Sequence, residues 1–397
     1  RSPRRDKEKT TMKHARSILV TTRHATVVLC TMLVLLAAVS AQKHVPTKKM
    51  QSPCAVSNTA CPVPKTVMAT CGCVLYSSSI PCGGMLGNDL SCPSLGSAIT
   101  LYDDNNGGVL NLDGRRILGS SPPLAFSIGI DADHHWTIMG QVGLAPVSAN
   151  HGPGEINGFD TGIQFESGWN SVTHVHLINN NTGIEMNLDP GNSITANTLI
   201  GNSCYGILIP DEGEGSDSVV NNLVTGSTGS STACPPNPGM GIYVGYTEFY
   251  PNLVQGNSVN HNNIGMCANL DGGESITVSG NDFSANSQQG AYIYYGEGIT
   301  VSGNFFNRNG QDGLWLDYLQ NAGTYASVIQ NNFSNDNKGH GITLTNSGGS
   351  SPANLLTGNV ALHNNTYDLF WDGLGQNNWP AKSNTCDTSS PSSIVCN

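Results

Sequence analysis

The sequence predicts an all-β fold, a solenoid of short parallel strands wound into stacked coils. Three observations carry that expectation. First, an asparagine recurs in nearly one phrase: I-T-A-N ending at Asn197, V-V-N-N at Asn222, V-Q-G-N at Asn257, V-S-G-N at Asn281 and Asn304, I-Q-N-N at Asn332 and L-T-G-N at Asn359. The steps between them are 25, 35, 24, 23, 28 and 27 residues. Second, a glycine opens an apolar run after each phrase, as at Gly183, Gly206, Gly241, Gly265, Gly290, Gly313 and Gly341, with earlier copies at Gly129 and Gly162. Third, no amphipathic helical stretch of useful length is present, while 47 glycines and 11% charged residues suit tight turns and short strands.

The elements follow in order along the chain. Eleven residues precede Met12, which reads as an initiator. Lys13, Arg16 and Arg23 then form a basic region, Ala25 to Ala38 an apolar one, and Val39 and Ala41 supply small residues for cleavage before Gln42. A secreted or periplasmic protein is therefore expected, with residues 1–41 removed and no membrane insertion afterwards. Beyond Gln42 nine Lys and Arg face 26 Asp and Glu, a balance of −17. Such a surface excludes nucleic acid as a partner, because phosphate binding needs clustered cations. Residues 42–95 hold Cys54, Cys61, Cys71, Cys73, Cys82 and Cys92 and read as a disulfide-rich N-terminal cap. The solenoid is expected over 96–372. Residues 373–397 form a tail that Cys386 and Cys396 close. Cys204 and Cys234 flank the longest repeat and could staple it, which leaves Cys267 over.

Within the solenoid, side chains alternate along each strand. The first and third residues after the repeat glycine share the inner face, as with Ile184 and Met186, Ile207 and Ile209, and Leu314 and Leu316. The asparagines, one per coil, should stack into a structural ladder that pairs otherwise buried turn groups. The outward residue between the two core positions runs Asp131, Gln164, Glu185, Leu208, Tyr243, Cys267, Tyr292, Trp315 and Thr343. Two residues further on lie Asp133, Glu166, Asn187, Pro210, Gly245, Asn269, Tyr294, Asp317 and Thr345.

These columns define two zones. Asp131, Asp133, Glu166 and Glu185 form an acidic one, with carboxylates on neighbouring coils roughly 5–8 Å apart. That spacing suits a glycosidase pair, a calcium site or a solvated acidic face. Asp189, Asp211 and Glu212, just beyond the strands, are the candidate calcium ligands. Tyr243, Tyr292, Tyr294 and Trp315, with Asp317, form an aromatic zone. Exposed, it would stack sugar rings. Covered by the insertions near 226–240 or 319–327, it would be satellite core. A protein–protein patch is a third use.

The two phrases resemble the parallel β-helix repeat of the pectin-lyase-like superfamily, roughly from Ser97 to Asp372. Cys71 with the D-L-S-C run ending at Cys92, L-N-L-D-G ending at Gly114, G-I-D-A-D ending at Asp133 and the N-N-W run ending at Trp379 are similar pieces. The resemblance implies a right-handed solenoid of three sheets, in a superfamily of polysaccharide lyases, hydrolases and epimerases that also holds non-catalytic adhesins and tailspikes. The enzymes' chemical motifs are mostly missing. Gly339-His340-Gly341 matches a short polygalacturonase motif without its partners, and His340 reads as a solvent-facing turn residue. Gly129 to His135 only echoes the alginate-epimerase motif. One branch of the superfamily works in copper delivery. Here His134, His135, His151, His174 and His176 fall in the first coils with no Met or Cys partner in register, so copper is not expected. The sequence thus points to a monomeric secreted β-helix that binds extracellular polysaccharide along one sheet face and could cleave it as hydrolase or lyase. The alternative is a non-catalytic surface or structural rod.

Overall fold

The computed structural model describes residues 51–58, 60–61, 63–140, 152–186, 189–210, 213–229, 239–245, 247–270, 275–320, 326–348 and 352–397. Residues 1–50, His151, Asn187, Asp211, Glu212, Cys234, most of the two insertions and Tyr246 lie outside them. Among the described residues, strands stack coil upon coil into three long parallel sheets. Sheet I has 14 strands, sheet II seven and sheet III 13. One full coil shows the order: Ser193–Thr195 belongs to sheet I, Thr198–Ile200 to sheet II and Tyr205–Ile209 to sheet III. In later coils sheet II thins to single bridges linking Ser258, Asp282, Phe305, Phe333 and Val360. No helix among the described residues is long and apolar enough to cross a membrane.

Parallel pairing already begins inside the Cys-rich segment. Lys65–Met68 pairs with Gly84–Leu86, Cys73–Tyr76 with Gly96–Tyr102, and Leu90–Ser91 with Arg116–Leu118. Ala55–Val56 folds back antiparallel on Lys65–Met68 and covers the first coil's edge. Disulfides Cys54–Cys73, Cys61–Cys82 and Cys71–Cys92 tie this end. At the other end Asn377–Asn378, Thr385–Cys386 and Ser389–Ser390 add a last coil, which Cys386–Cys396 closes. Cys204 is also disulfide-bonded, while Cys267 is a buried thiol.

The core runs the length of the tube. Ile163, Ile184, Ile207, Ile242, Met266, Leu316 and Leu344 are fully buried, each contributing about 1.5–3 kcal/mol. The repeat glycine is required by the closeness of the coils. A Cβ on Gly162 would lie 2.6 Å from the carbonyl oxygen of Gly183, and one on Gly183 2.5 Å from that of Gly206.

The asparagine ladder is present and complete. Asn197 Nδ2 donates to Asn222 Oδ1 at 3.1 Å, and the chain continues through Asn257, Asn281, Asn304, Asn332 and Asn359 to Asn384 at 2.9–3.0 Å. Each Nδ2 also donates to a strand carbonyl of the preceding coil, and each Oδ1 accepts a backbone N–H, as Asn304 shows with Val278 and Asn281. The residue before each asparagine has positive φ, as at Ala196, Asn221, Gly256, Gly280, Gly303, Asn331 and Gly358, which explains the glycines and asparagines of the phrase.

The other two corners of the coil carry ladders as well. Asn180 and Asn202 begin one that resumes through Asn262, Asn286, Asn309, Asn337 and Asn364. Asn170, Asn192, Asp217 and Asn252 form another, each accepting the backbone N–H of its predecessor. In that ladder Asn170 and Asn192 also donate Nδ2 to the carbonyl three residues back, at 2.6 and 2.9 Å. The glycosylation-type triplets at Asn180, Asn332 and Asn364 all use their amide nitrogens in ladders.

Asp217 replaces an amide where an amide donates, and burial pushes its carboxyl up to about 7. The proton is held in the fold up to that pH, whereas an unfolded aspartate releases it near 3.8. The corresponding stability is fully present below about pH 4 and is lost as pH rises through about 7. Asp217→Asn should therefore raise unfolding stability above pH 7 by about 2–4 kcal/mol and remove that part of the pH dependence, read from urea midpoints across pH 4–9. Asn304→Ala removes both the carbonyl partner and the amide partners, and should cost about 3 kcal/mol at every pH in the same titration.

Candidate functional site

The outward column of sheet III is in register from end to end. Thr100, Asp131, Gln164, Glu185, Leu208, Tyr243, Cys267, Tyr292, Trp315 and Thr343 are successive cross-strand partners. The second column is in register over the first coils. Tyr76 pairs with Tyr102, and Leu101, Ala132 and Phe165 pair in turn, so the residues following them, Tyr102, Asp133 and Glu166, stand side by side.

The acidic zone is an interacting cluster. Ser97 Oγ donates to Asp131 Oδ2 at 3.1 Å, while the buried Oδ1 accepts no hydrogen bond. Burial, the Glu166 charge and Asp133 together push the Asp131 carboxyl up to about 7. Burial and Asp133 raise Glu166 as well, but its hydrogen bond with Asp131 acts the other way. Both carboxyls of the pair are thus held above their ordinary range, Asp131 the more buried of the two. Glu166 itself is exposed. Glu185 is pushed up to about 7 by burial, then by Asp160 and Glu166, against a 3.2 Å hydrogen bond from Thr161 Oγ1. The residue as a whole is half-buried.

Asp133 joins this cluster to two histidines. Its Oδ1 lies 2.8 Å from His134 Nδ1 and accepts Ser167 Oγ at 3.3 Å. His134 Nε2 and His135 Nδ1 lie 3.4 and 3.3 Å from Asp103 Oδ2. Burial raises the Asp103 carboxyl, but hydrogen bonds from the Gly107 and Asn105 amides, Ser77 and His135 outweigh it and hold the group below its ordinary value.

Residues 214–379 match the family described as right-handed beta helix region. The fold is a right-handed parallel β-helix. Among solved structures, it resembles a mutant of a periplasmic alginate epimerase at 11% identity, over 84% of this chain and 79% of that one, with a TM-score of 0.49. The Azotobacter vinelandii mannuronan C-5 epimerase A-module matches at 12% identity, 74% and 69% coverage and a TM-score of 0.43. A surface adhesin of Streptococcus pneumoniae matches at 9% identity, 75% and 83% coverage and a TM-score of 0.25. No curated protein matches the chain.

On this β-helix the aromatic zone corrects an expectation. Tyr243, Tyr292 and Trp315 are 4%, 1% and 6% exposed, and Asp317 is buried completely. With Cys204, Tyr205, Met240, Ile264 and Cys267 they form a second apolar cluster on the outside of sheet III, and Tyr294 packs against it half-buried. The rings meet one another, Tyr292 and Trp315 at 4.7 Å between centroids. Trp315 Nε1 donates to Thr345 Oγ1 at 2.8 Å, and Thr345 Oγ1 and Asn346 Nδ2 donate to Asp317 Oδ1 at 2.7 and 2.9 Å. Burial raises the Asp317 carboxyl. These residues stand where the register places them, but as satellite core and not as an open sugar platform. His340 is likewise buried and stacked on Phe370 at 4.7 Å, not turned to solvent. Of the calcium candidates, Asp189 is exposed, and Asp211 and Glu212 lie outside the described residues.

The exposed rings are elsewhere. Tyr76 and Tyr102 meet edge-on at 5.6 Å on the open part of the face, and Tyr102 neighbours Asp133 across the coil. Sequence reasoning missed them, along with Asp103, because they precede the first recognisable repeat. Trp315→Ala should lower stability by about 3–5 kcal/mol, measured by urea unfolding, with no effect on glycan retention by the folded protein. A loss of retention at full foldedness would return the aromatic zone to the binding face.

Proposed function

We propose that this β-helix acts on extracellular polysaccharide, with its working site on the acidic coils Asp131, Glu166 and Glu185 and its sugar platform at Tyr76 and Tyr102. The carrying observation is the register that lines up Asp131, Gln164 and Glu185 on one sheet face beside Glu166, with Asp131 and Glu185 both held near neutrality. Asp131 and Glu185 are two coils apart, with Gln164 between them. Two strand spacings put their Cα atoms about 9–10 Å apart. That leaves room for a sugar and a water, the arrangement of an inverting hydrolase. In this reading Asp131 protonates the departing glycosidic oxygen as the carbon–oxygen bond breaks. Glu185 takes a proton from the water that forms the new bond, and Glu166 keeps the Asp131 proton in place. The density of carboxylates favours an uncharged glycan, since a polyanion would be repelled. The leader and the disulfides support an extracellular or periplasmic setting.

The test is reducing-sugar and unsaturated-product release from a panel of neutral and anionic glycans, with anomeric NMR on any product. The expected result is hydrolysis of a neutral glycan with inversion. Asp131→Asn and Glu185→Gln should each lower kcat at least about 100-fold. The pH profile should be bell-shaped and centred near 7, because the acid must be protonated and the base ionised while both titrate there. Wild-type protein that binds neutral glycan without cleaving it would reduce the site to a binding face, and no binding at all would remove the reading.

A further inference from the structure

The turn after the Ser127–Ala132 strand brings two consecutive imidazoles to one carboxylate. His135 has a φ of 60°, so the chain leaves the strand's alternation and both rings face the same side. The rings meet edge-on at 5.1 Å. Asp103, His134 and His135 each offer one ligand atom, and the three atoms lie within 4.8 Å of one another.

We infer that Asp103, His134 and His135 form a three-ligand site for a divalent transition metal of the zinc type. The distances carry this. Two ligands each about 2.0–2.1 Å from a tetrahedral zinc lie roughly 3.3–3.4 Å apart. The Asp103 oxygen is 3.4 Å from one ring nitrogen and 3.3 Å from the other.

The surroundings are those of a held ligand set. Asp103 is almost fully buried at its side chain. Its other oxygen, Oδ1, accepts Gly107 N at 2.6 Å, Asn105 N at 3.0 Å and Ser77 Oγ at 3.0 Å, which fixes the plane of the carboxylate and leaves Oδ2 for the rings. Asp133 holds Nδ1 of His134 at 2.8 Å, the carboxylate–histidine contact that sets the tautomer of a metal ligand. Both rings are nearly half exposed, 44% and 48% at the side chain, so a fourth position opens to solvent. Imidazole with one carboxylate suits zinc, cobalt or nickel over calcium or magnesium, which prefer oxygen.

The inference is separate from the glycan reading, because it is tested without substrate. Zn²⁺ binding to the intact disulfide-bonded protein is measured by calorimetry after chelator treatment, and Co²⁺ binding by visible absorption. One equivalent of Zn²⁺ per chain and the intense bands of four- or five-coordinate Co²⁺ are expected. His134→Ala and His135→Ala should each weaken affinity at least about 100-fold, and Asp133→Asn, which reaches the site only through the His134 ring, about 10–100-fold. His174→Ala, elsewhere on the same coils, should change nothing. Absence of stoichiometric binding, or binding of equal strength in His134→Ala and His135→Ala, would overturn the site. Failure of glycan cleavage alone would leave it standing.

Discussion

A chain that turns three corners in every coil must find partners for corner groups that no sheet can take. In this protein the partners are side-chain amides, one ladder to a corner. An asparagine has two donors and two acceptor positions, and in the first ladder all four are used. The same bonds also act as a register lock. Each amide binds the equivalent amide one coil away, so a coil that slipped by one residue would leave several buried polar groups unpaired at once. Everything outside the tube inherits that lock, because the outward residue of a strand can be nowhere but above its counterpart.

Locked stacking has opposite consequences at the two ends of sheet III. Over the later coils the outward residues are large and apolar, and they pack ring against ring into a second core. Polar atoms there are bonded within the cluster, as Asp317 is by Thr345 and Asn346. Over the early coils the same positions carry acids. Burial first, and then the neighbouring charges of Glu166, Asp133 and Asp160, keep protons on Asp131 and Glu185 near neutral pH. Such an arrangement opposes stability at high pH and is useful for proton transfer. A column of serines and threonines would serve the fold better.

How much of this was legible depended on repetition. The first ladder, the repeat glycine and both outward columns could be placed from sequence because every coil restates them. The other two ladders were harder to see, since Ser227 and Asp217 interrupt their asparagines. Burial of Tyr292 and Trp315 was not legible as a single answer. Register says which way a side chain points and nothing about what lies over it. Asp103 was invisible for another reason. It sits in a corner, about thirty residues before the histidines it meets, where strand alternation gives no direction.

Asp133 is where the two halves of the early face become one. It binds the ring of His134 and receives Ser167, and its charge raises both Asp131 and Glu166. The Asp103 cluster and the carboxyl pair therefore meet at one carboxylate, and a charge placed on His134 acts on Asp131 and Glu166 through it. Separate substitutions in the two groups should not behave as independent changes, since they share one charge.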